Sequence, residues 1–175
     1  MKNAAVAVEV VKVLNKKGYT IRDEAVLRGI ANTRWPGRFE IVNSRPLIIM
    51  DGAHNPDGAM TFRKSVQQYL QGYTVIMIMG VLKDKDYPEI VRLTNDLASV
   101  IITVNPDNAR ALSDVELKNT IDQYKVRDIP VLAAGRIESA IELASQIAMQ
   151  LQQDNTAIVV FGSLSFLGDL GRYLS

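Results

Sequence analysis

A chain of 175 residues with 47% hydrophobic and 22% charged content has the size and composition of one domain with a short appendage, and can bury a sizeable core. With 20 basic and 19 acidic residues it carries no electrostatic footprint for nucleic acid or an anionic membrane. The absence of cysteine excludes disulfides, thiolate nucleophiles and cysteine-based metal sites, and a cytoplasmic setting is expected.

The opening stretch, NAAVAVEVVKVLNKKG, has the superficial look of a secretory signal, but Glu9 and Lys12 break its apolar run and it reads as a helix. No apolar run in the chain approaches the roughly 18 residues of a membrane span. After a break at Gly18, TIRDEAVLRGIAN reads as a second helix with Thr20 as its N-cap. Neither helix leads into a strand of its own. Residues 1–33 therefore read as the end of a preceding module, TRWPGR as a linker, and 34–175 as the domain proper.

RFEIVN (38–43) alternates apolar and polar residues, and NSRP joins it to LIIM (47–50), which predicts a hairpin with an antiparallel edge strand. Pro56 suits the first turn of a helix over 57–70, whose inner face carries Ala59, Phe62, Val66 and Leu70. VIMIM (75–79), a helix over 87–98 and VIITV (100–104) follow. SDVE (113–116) is a capping-box pattern that opens a helix running to about Tyr124. VLAA (131–134), a striped helix over 136–152 and AIVVF (157–161) complete the alternation. Apolar runs that are continuous rather than alternating predict strands buried on both faces. The expected fold is α/β: an open, mostly parallel sheet with an antiparallel edge strand and helices on both faces.

Ligands of such sheets bind beyond the carboxyl ends of the strands. DGAHNPDG (51–58), GVLKDKD (80–86), NPDNARAL (105–112) and GSLSFLG (162–168) leave those ends. GVLKDKD and NPDNARAL read as ordinary turns, since Gly, Asn, Asp and Pro serve turn geometry. DGAHN offers more chemistry. Asp51 can accept from a ribose hydroxyl or a water, His54, the only histidine, can donate to a carboxylate, and Gly52 lets backbone approach a ligand. No P-loop, no G-x-G-x-x-G, no zinc pattern and no nucleophile elbow occurs. A magnesium site drawn from this chain alone would have to use Asp51, Asp84 and Asp86. These residues describe a binding half without a phosphate cradle.

WPGRFE (35–40), DGAHN (51–55), DKD (84–86), ARAL (109–112) and FGS (161–163) stand in the order and spacing of the folylpolyglutamate synthase family, often bifunctional with dihydrofolate synthase, within the Mur ligase superfamily. Essentially all 175 residues resemble that family's Rossmann-like carboxy-terminal domain plus the last two helices of the ATP-binding domain before it. The resemblance implies a cytoplasmic, monomeric full-length enzyme using ATP and Mg2+, with the P-loop and metal ligands mainly on the preceding domain. It implies ATP-dependent activation of a folate or dihydropteroate carboxylate as an acyl phosphate, followed by attack of the L-glutamate amine.

Residue by residue, the resemblance places Asn3 at the adenine, Arg38 at the nucleotide phosphates, Asp51 on the ribose side, and His54 and Ser163 by the incoming glutamate. Arg38 and His54 are the implied catalytic residues. The plainer alternatives are a helix start for Asn3, an edge-strand cation for Arg38 and a helix N-cap for Ser163. Lys83, Asp84 and Asp86 match the family text without an assigned chemistry. A chain lacking the P-loop is expected to be silent on its own. The competing readings are a stand-alone, non-catalytic binding module of the same fold and another Mur-type amino-acid ligase domain; DGAHN disfavours the latter.

Overall fold

The computed structural model describes residues 2–33, 35–153 and 155–163. The chain divides into two units, Met1–Trp35 and Pro36–Ser175. The first holds helices α1 (Lys2–Lys16) and α2 (Asp23–Asn32). Thr20 is not the cap of α2: Arg22 occupies that position and makes no side-chain cap bond. The Asn15 side chain explains the delay. It accepts from the Ile21 N–H (2.8 Å) and donates to the Ile21 carbonyl (2.9 Å), which keeps the connection out of the helix.

The second unit holds a sheet of six strands: β1 (Glu40–Ser44), β2 (Leu47–Asp51), β3 (Thr74–Met79), β4 (Val100–Val104), β5 (Val131–Gly135) and β6 (Thr156–Phe161). Their order is β1-β2-β6-β3-β4-β5, with β1 antiparallel to β2 and every other pair parallel. The predicted edge hairpin and mixed sheet are therefore present. Helices α3 (Pro56–Tyr69), α4 (Tyr87–Thr94), α5 (Asp114–Tyr124) and α6 (Ile137–Leu151) connect the parallel strands.

Right-handed crossovers decide which face each helix covers. The chain steps from β2 to β3, β4 and β5 in one direction, so α3, α4 and α5 share a face; α6 carries it back to β6 and lies on the other. Strand residues alternate accordingly. Ile49, Met77, Ile101 and Val159 pack with Phe62, Ile90 and Leu117, whereas Ile48, Ile76, Ile102 and Ile158 pack with Ile141 and Ala144. Burial on both faces is the reason the runs read as continuous.

Two expectations need correction. β5 is an edge strand, so Leu132 and Ala133 are exposed rather than buried on both faces. The helix expected over 87–98 ends at Thr94 and finishes as one 3-10 turn, Asn95–Leu97. Thr94 Oγ1 and Asn95 Nδ2 donate to the Ile90 and Val91 carbonyls (both 2.8 Å), the back-bonding that ends helices. The capping prediction holds, with Ser113 Oγ accepting from the Glu116 N–H at 3.2 Å.

Phe62 links the core to the sheet's functional edge. Its ring, 1% exposed, stacks on Phe161 with centroids 4.2 Å apart and tilts against Phe39 at 6.3 Å. Phe62→Ala is expected to reduce unfolding free energy by about 3–5 kcal/mol, the range for truncating a buried aromatic. A lowered urea midpoint at unchanged m-value checks this.

Candidate functional site

The register of the three central strands brings the candidate loops together. Asp51 of β2 pairs with Phe161 of β6, which in turn pairs with Met79 of β3. The turns at 52–55, 162–163 and 80–86 thus leave the carboxyl edge at one level. Between the last two the backbones nearly touch: the Gly80 N–H donates to the Phe161 carbonyl (3.3 Å), and a Cβ on Gly162 would sit 2.4 Å from the Gly80 oxygen. Only glycine fits there, at φ +115°. Ser163, just beyond, is 5% exposed. The helix it was expected to cap lies outside the described residues.

Asp51 ends β2 inside the protein, 8% exposed. Its Oδ1 accepts from the Ala53 N–H (2.8 Å) and its Oδ2 from the Phe39 N–H (2.9 Å). Burial raises its pKa above the ordinary carboxylate value, and the Ala53 amide, the Phe39 amide and the Arg38 charge pull it back in part. Arg38 itself is exposed and makes no ion pair with a described residue. Gly52, expected to let backbone approach a ligand, is not in the left-handed region. Its buried N–H instead donates to the Gly37 carbonyl (2.8 Å), so the turn is a docking point for the segment before β1.

His54 lies half-buried on that turn, with Nδ1 2.9 Å from the Gly52 carbonyl. A carbonyl only accepts, so the proton sits on Nδ1, and a neutral ring is left with an accepting Nε2. Asn55 then caps α3, its side chain accepting from the Gly58 N–H at 2.7 Å, with Pro56 in the first turn as expected.

Arg38, Asp51, His54 and Ser163 thus belong to one sheet edge. Asn3 lies in the other unit, exposed on the first turn of α1. The family-matching acids have other duties. Asp86 caps α4 by accepting from the Glu89 N–H, and Asp84 pairs with Arg110 (3.1 Å) and Lys85 (3.3 Å). That pairing, with the Lys83 N–H donating to the Arg110 carbonyl (2.8 Å), zips the loops after β3 and β4 together. Among the described residues no three His, Asp or Glu side chains gather to hold a metal. The described acids do not gather to fit a magnesium ion, whereas Arg38, with no ion pair to a described residue, fits a phosphate. Sequence reading missed Phe39, a non-glycine residue at φ +46°, and the turn after β5 where the Asp114 carboxylate accepts from the Gly135 N–H (2.8 Å). Pro36-Gly37 signalled a turn; nothing local signalled Phe39.

Comparison with known proteins gives the geometry a context. The family described as Mur ligase, glutamate ligase domain matches residues 37–164. The folylpolyglutamate synthase of Lacticaseibacillus casei is 35% identical over 115 residues, covering 65% of this chain and 27% of that protein. The dihydrofolate synthase/folylpolyglutamate synthase of Bacillus subtilis is 27% identical over 175 residues, covering 98% of this chain and 38% of its own length. Among solved structures, the Mycobacterium tuberculosis folylpolyglutamate synthase complexed with ADP superposes with a TM-score of 0.81 at 25% identity, over 90% of this chain and 36% of that one. The chain therefore spans about a third of the relatives it matches.

The electrostatics predict an order of titration. Arg63 holds Asp96 below the ordinary carboxylate value, and Lys118 and Lys125 do so for Asp122, opposite to the burial-driven rise at Asp51. A raised carboxyl pKa adds stability at pH below its unfolded value and loses it as pH rises through the folded one. In a titration followed by carboxyl carbon shifts, Asp51 should release its proton at higher pH than Asp96 and Asp122. The Phe39 and Ala53 amide shifts should share its midpoint.

Proposed function

The chain belongs to the Mur ligase, glutamate ligase domain family, and we propose that it is the carboxy-terminal domain of an ATP-dependent ligase joining L-glutamate to a folate-type carboxylate. The observation that carries the reading is the single edge where Arg38, a cation with no ion pair to a described residue, and His54, an imidazole with a fixed tautomer, flank a buried carboxylate. The names of the relatives, folylpolyglutamate and dihydrofolate synthases, support the substrate class.

In this reading ATP supplies the phosphoryl group that turns the acceptor carboxylate into an acyl phosphate. The glutamate amine then attacks the carbonyl carbon, the amide forms and phosphate leaves. Arg38 places a fixed guanidinium against the charge that gathers on the transferring phosphoryl oxygens. His54 presents its Nε2 lone pair to the glutamate ammonium, orients the nitrogen and takes the proton it must lose before attack. By the family resemblance alone, Ser163 is assigned to the incoming glutamate and Asn3 to the adenine. Mg2+ ligands belong to a preceding ATP-binding domain, of which residues 1–33 form the last two helices. The apolar stripe of α1, with Val6, Val10 and Val13 half to two-thirds exposed, suits packing against such a domain. The 175 residues alone lack the phosphate cradle and do not turn over.

ADP release tests this. With ATP, Mg2+, a folate acceptor and L-glutamate, the 175-residue chain should release no ADP, whereas the two-domain enzyme should do so only when glutamate is present. In that enzyme Arg38→Ala should lower kcat by about a hundredfold, as loss of a charge-stabilising donor does. His54→Ala should chiefly raise KM for glutamate. Equal effects of both variants on ATP affinity, with glutamate use unchanged, would sink the division of roles. No glutamate-dependent ADP release by the two-domain enzyme would leave the non-catalytic binding module as the surviving reading.

A further inference from the structure

Arg38 is bracketed. On one side of it the Gly37 carbonyl accepts from the Gly52 N–H at 2.8 Å; on the other the Phe39 N–H donates to Asp51 Oδ2 at 2.9 Å. Both neighbours of Arg38 occupy the left-handed region, Gly37 at φ +71° and Phe39 at φ +46°. Glycine adopts that region freely, whereas a phenylalanine persists there only when its surroundings over-determine it. Three contacts do so. The Phe39 ring packs against Phe62 and Tyr69, with centroids 6.3 and 5.7 Å away. The Gly37 N–H is held by Glu40 Oε2 at 2.6 Å. The Asp51 carboxylate receives the Phe39 N–H, and its own orientation is set by the Ala53 N–H at 2.8 Å.

We infer that Asp51 is a positioning residue, whose carboxylate clamps the Gly37–Phe39 turn to the exit of β2 and so sets where the Arg38 guanidinium stands over the sheet edge. This role stands beside the ribose contact that the family resemblance implies. At 8% exposure, with one backbone N–H on each oxygen, the carboxylate faces its own chain. Buried polar oxygens need partners, and here both are supplied by backbone N–H groups of this chain. The clamp follows from the geometry alone; its consequence for catalysis rests on the proposed function of Arg38.

The first arm of the test uses the 175-residue chain. Asp51→Asn offers a single oxygen, and its NH2 opposes the second donor. Amide hydrogen exchange at Phe39 and Ala53 should accelerate about tenfold or more, as loss of a charge-assisted hydrogen bond allows, while the β3 amides keep their protection. Unchanged exchange at Phe39 overturns the clamp. Where the variant does not fold, the wild-type chain decides: a scalar coupling across the hydrogen bond from the Phe39 amide nitrogen to the Asp51 carboxyl carbon supports it, and absence of that coupling overturns it.

The second arm uses the two-domain enzyme with ATP and with 2′,3′-dideoxy-ATP. Asp51→Asn should lower kcat about tenfold with 2′,3′-dideoxy-ATP as well as with ATP, because it displaces Arg38. In an Arg38→Ala background it should cost less than about a further twofold. Losses that multiply, or a defect confined to the nucleotide bearing ribose hydroxyls, overturn the inference. An enzyme that never releases ADP in response to glutamate refutes the proposed function and leaves the first arm to judge the clamp.

Discussion

β6 occupies the slot between β2 and β3, and the rest of the structure depends on that insertion. It pairs along its length with both neighbours, Ala157–Phe161 against Leu47–Asp51 and Thr156–Phe161 against Thr74–Met79. Strands β2 and β3 are joined by α3 but cannot pair with each other, so the sheet stays in two parts until β6 arrives through α6. Because β6 is the last described strand in sequence, the central ladder depends on contacts far apart along the chain, which slows folding relative to local architectures. The same insertion builds the functional edge. The Asp51, Phe161 and Met79 positions come level only in the complete ladder, and the Gly80–Gly162 approach exists only there. The site is therefore as cooperative as the core beneath it.

Two aspartates show how the same chemical group serves opposite ends. Asp96 is part-exposed and meets Arg63 in a two-point pair, one arm at 2.6 Å, while Arg127 donates to its carbonyl. Its pKa falls, so its ionisation favours the folded state above the ordinary carboxylate value, and that contribution fades as pH drops through the lowered one. Asp51 has no such partner at contact distance. Burial dominates, its pKa rises, and ionisation there works against folding. A carboxylate whose ionisation burial disfavours still joins two backbone segments, the Phe39 turn and the exit of β2.

The runs LIIM, VIMIM, VIITV and AIVVF were legible as buried strands because each faces helices on both sides, and the Ser113 cap and Pro56 helix start were legible from local chemistry. VLAA carried the same signal but became an edge strand; apolar content shows that a segment is able to be covered, not whether a neighbour arrives. Thr20 failed as a cap for a related reason, since Asn15, on the preceding helix, captured the Ile21 backbone first. At the site, DGAHN stood out by residue type and PGR by the family resemblance, and the structure joins them through hydrogen bonds between positions 37–39 and 51–52. The left-handed Phe39 was invisible, because tertiary packing on Phe62 and Tyr69 holds it there rather than any local preference. Strand order was also beyond reach: nothing in AIVVF says which slot it fills.

An acyl phosphate is open to attack by water as well as by an amine, so a ligase of the proposed kind must exclude solvent when that species forms. A sheet edge cannot do this alone. Arg38 is exposed and His54 half-buried, so the groups proposed to act are the ones solvent still reaches, while Asp51 and Ser163 behind them are covered. That gradient is suited to a surface completed from outside: a rigid floor holds the orientation, and charged or proton-accepting groups on top meet whatever closes over them. Under the proposed function, a site divided between two domains would couple shielding to binding. It also gives the clamp its purpose. A cation that must meet phosphates brought by a separate domain has no covalent neighbour to guide it, so its position has to be set beforehand by its own chain.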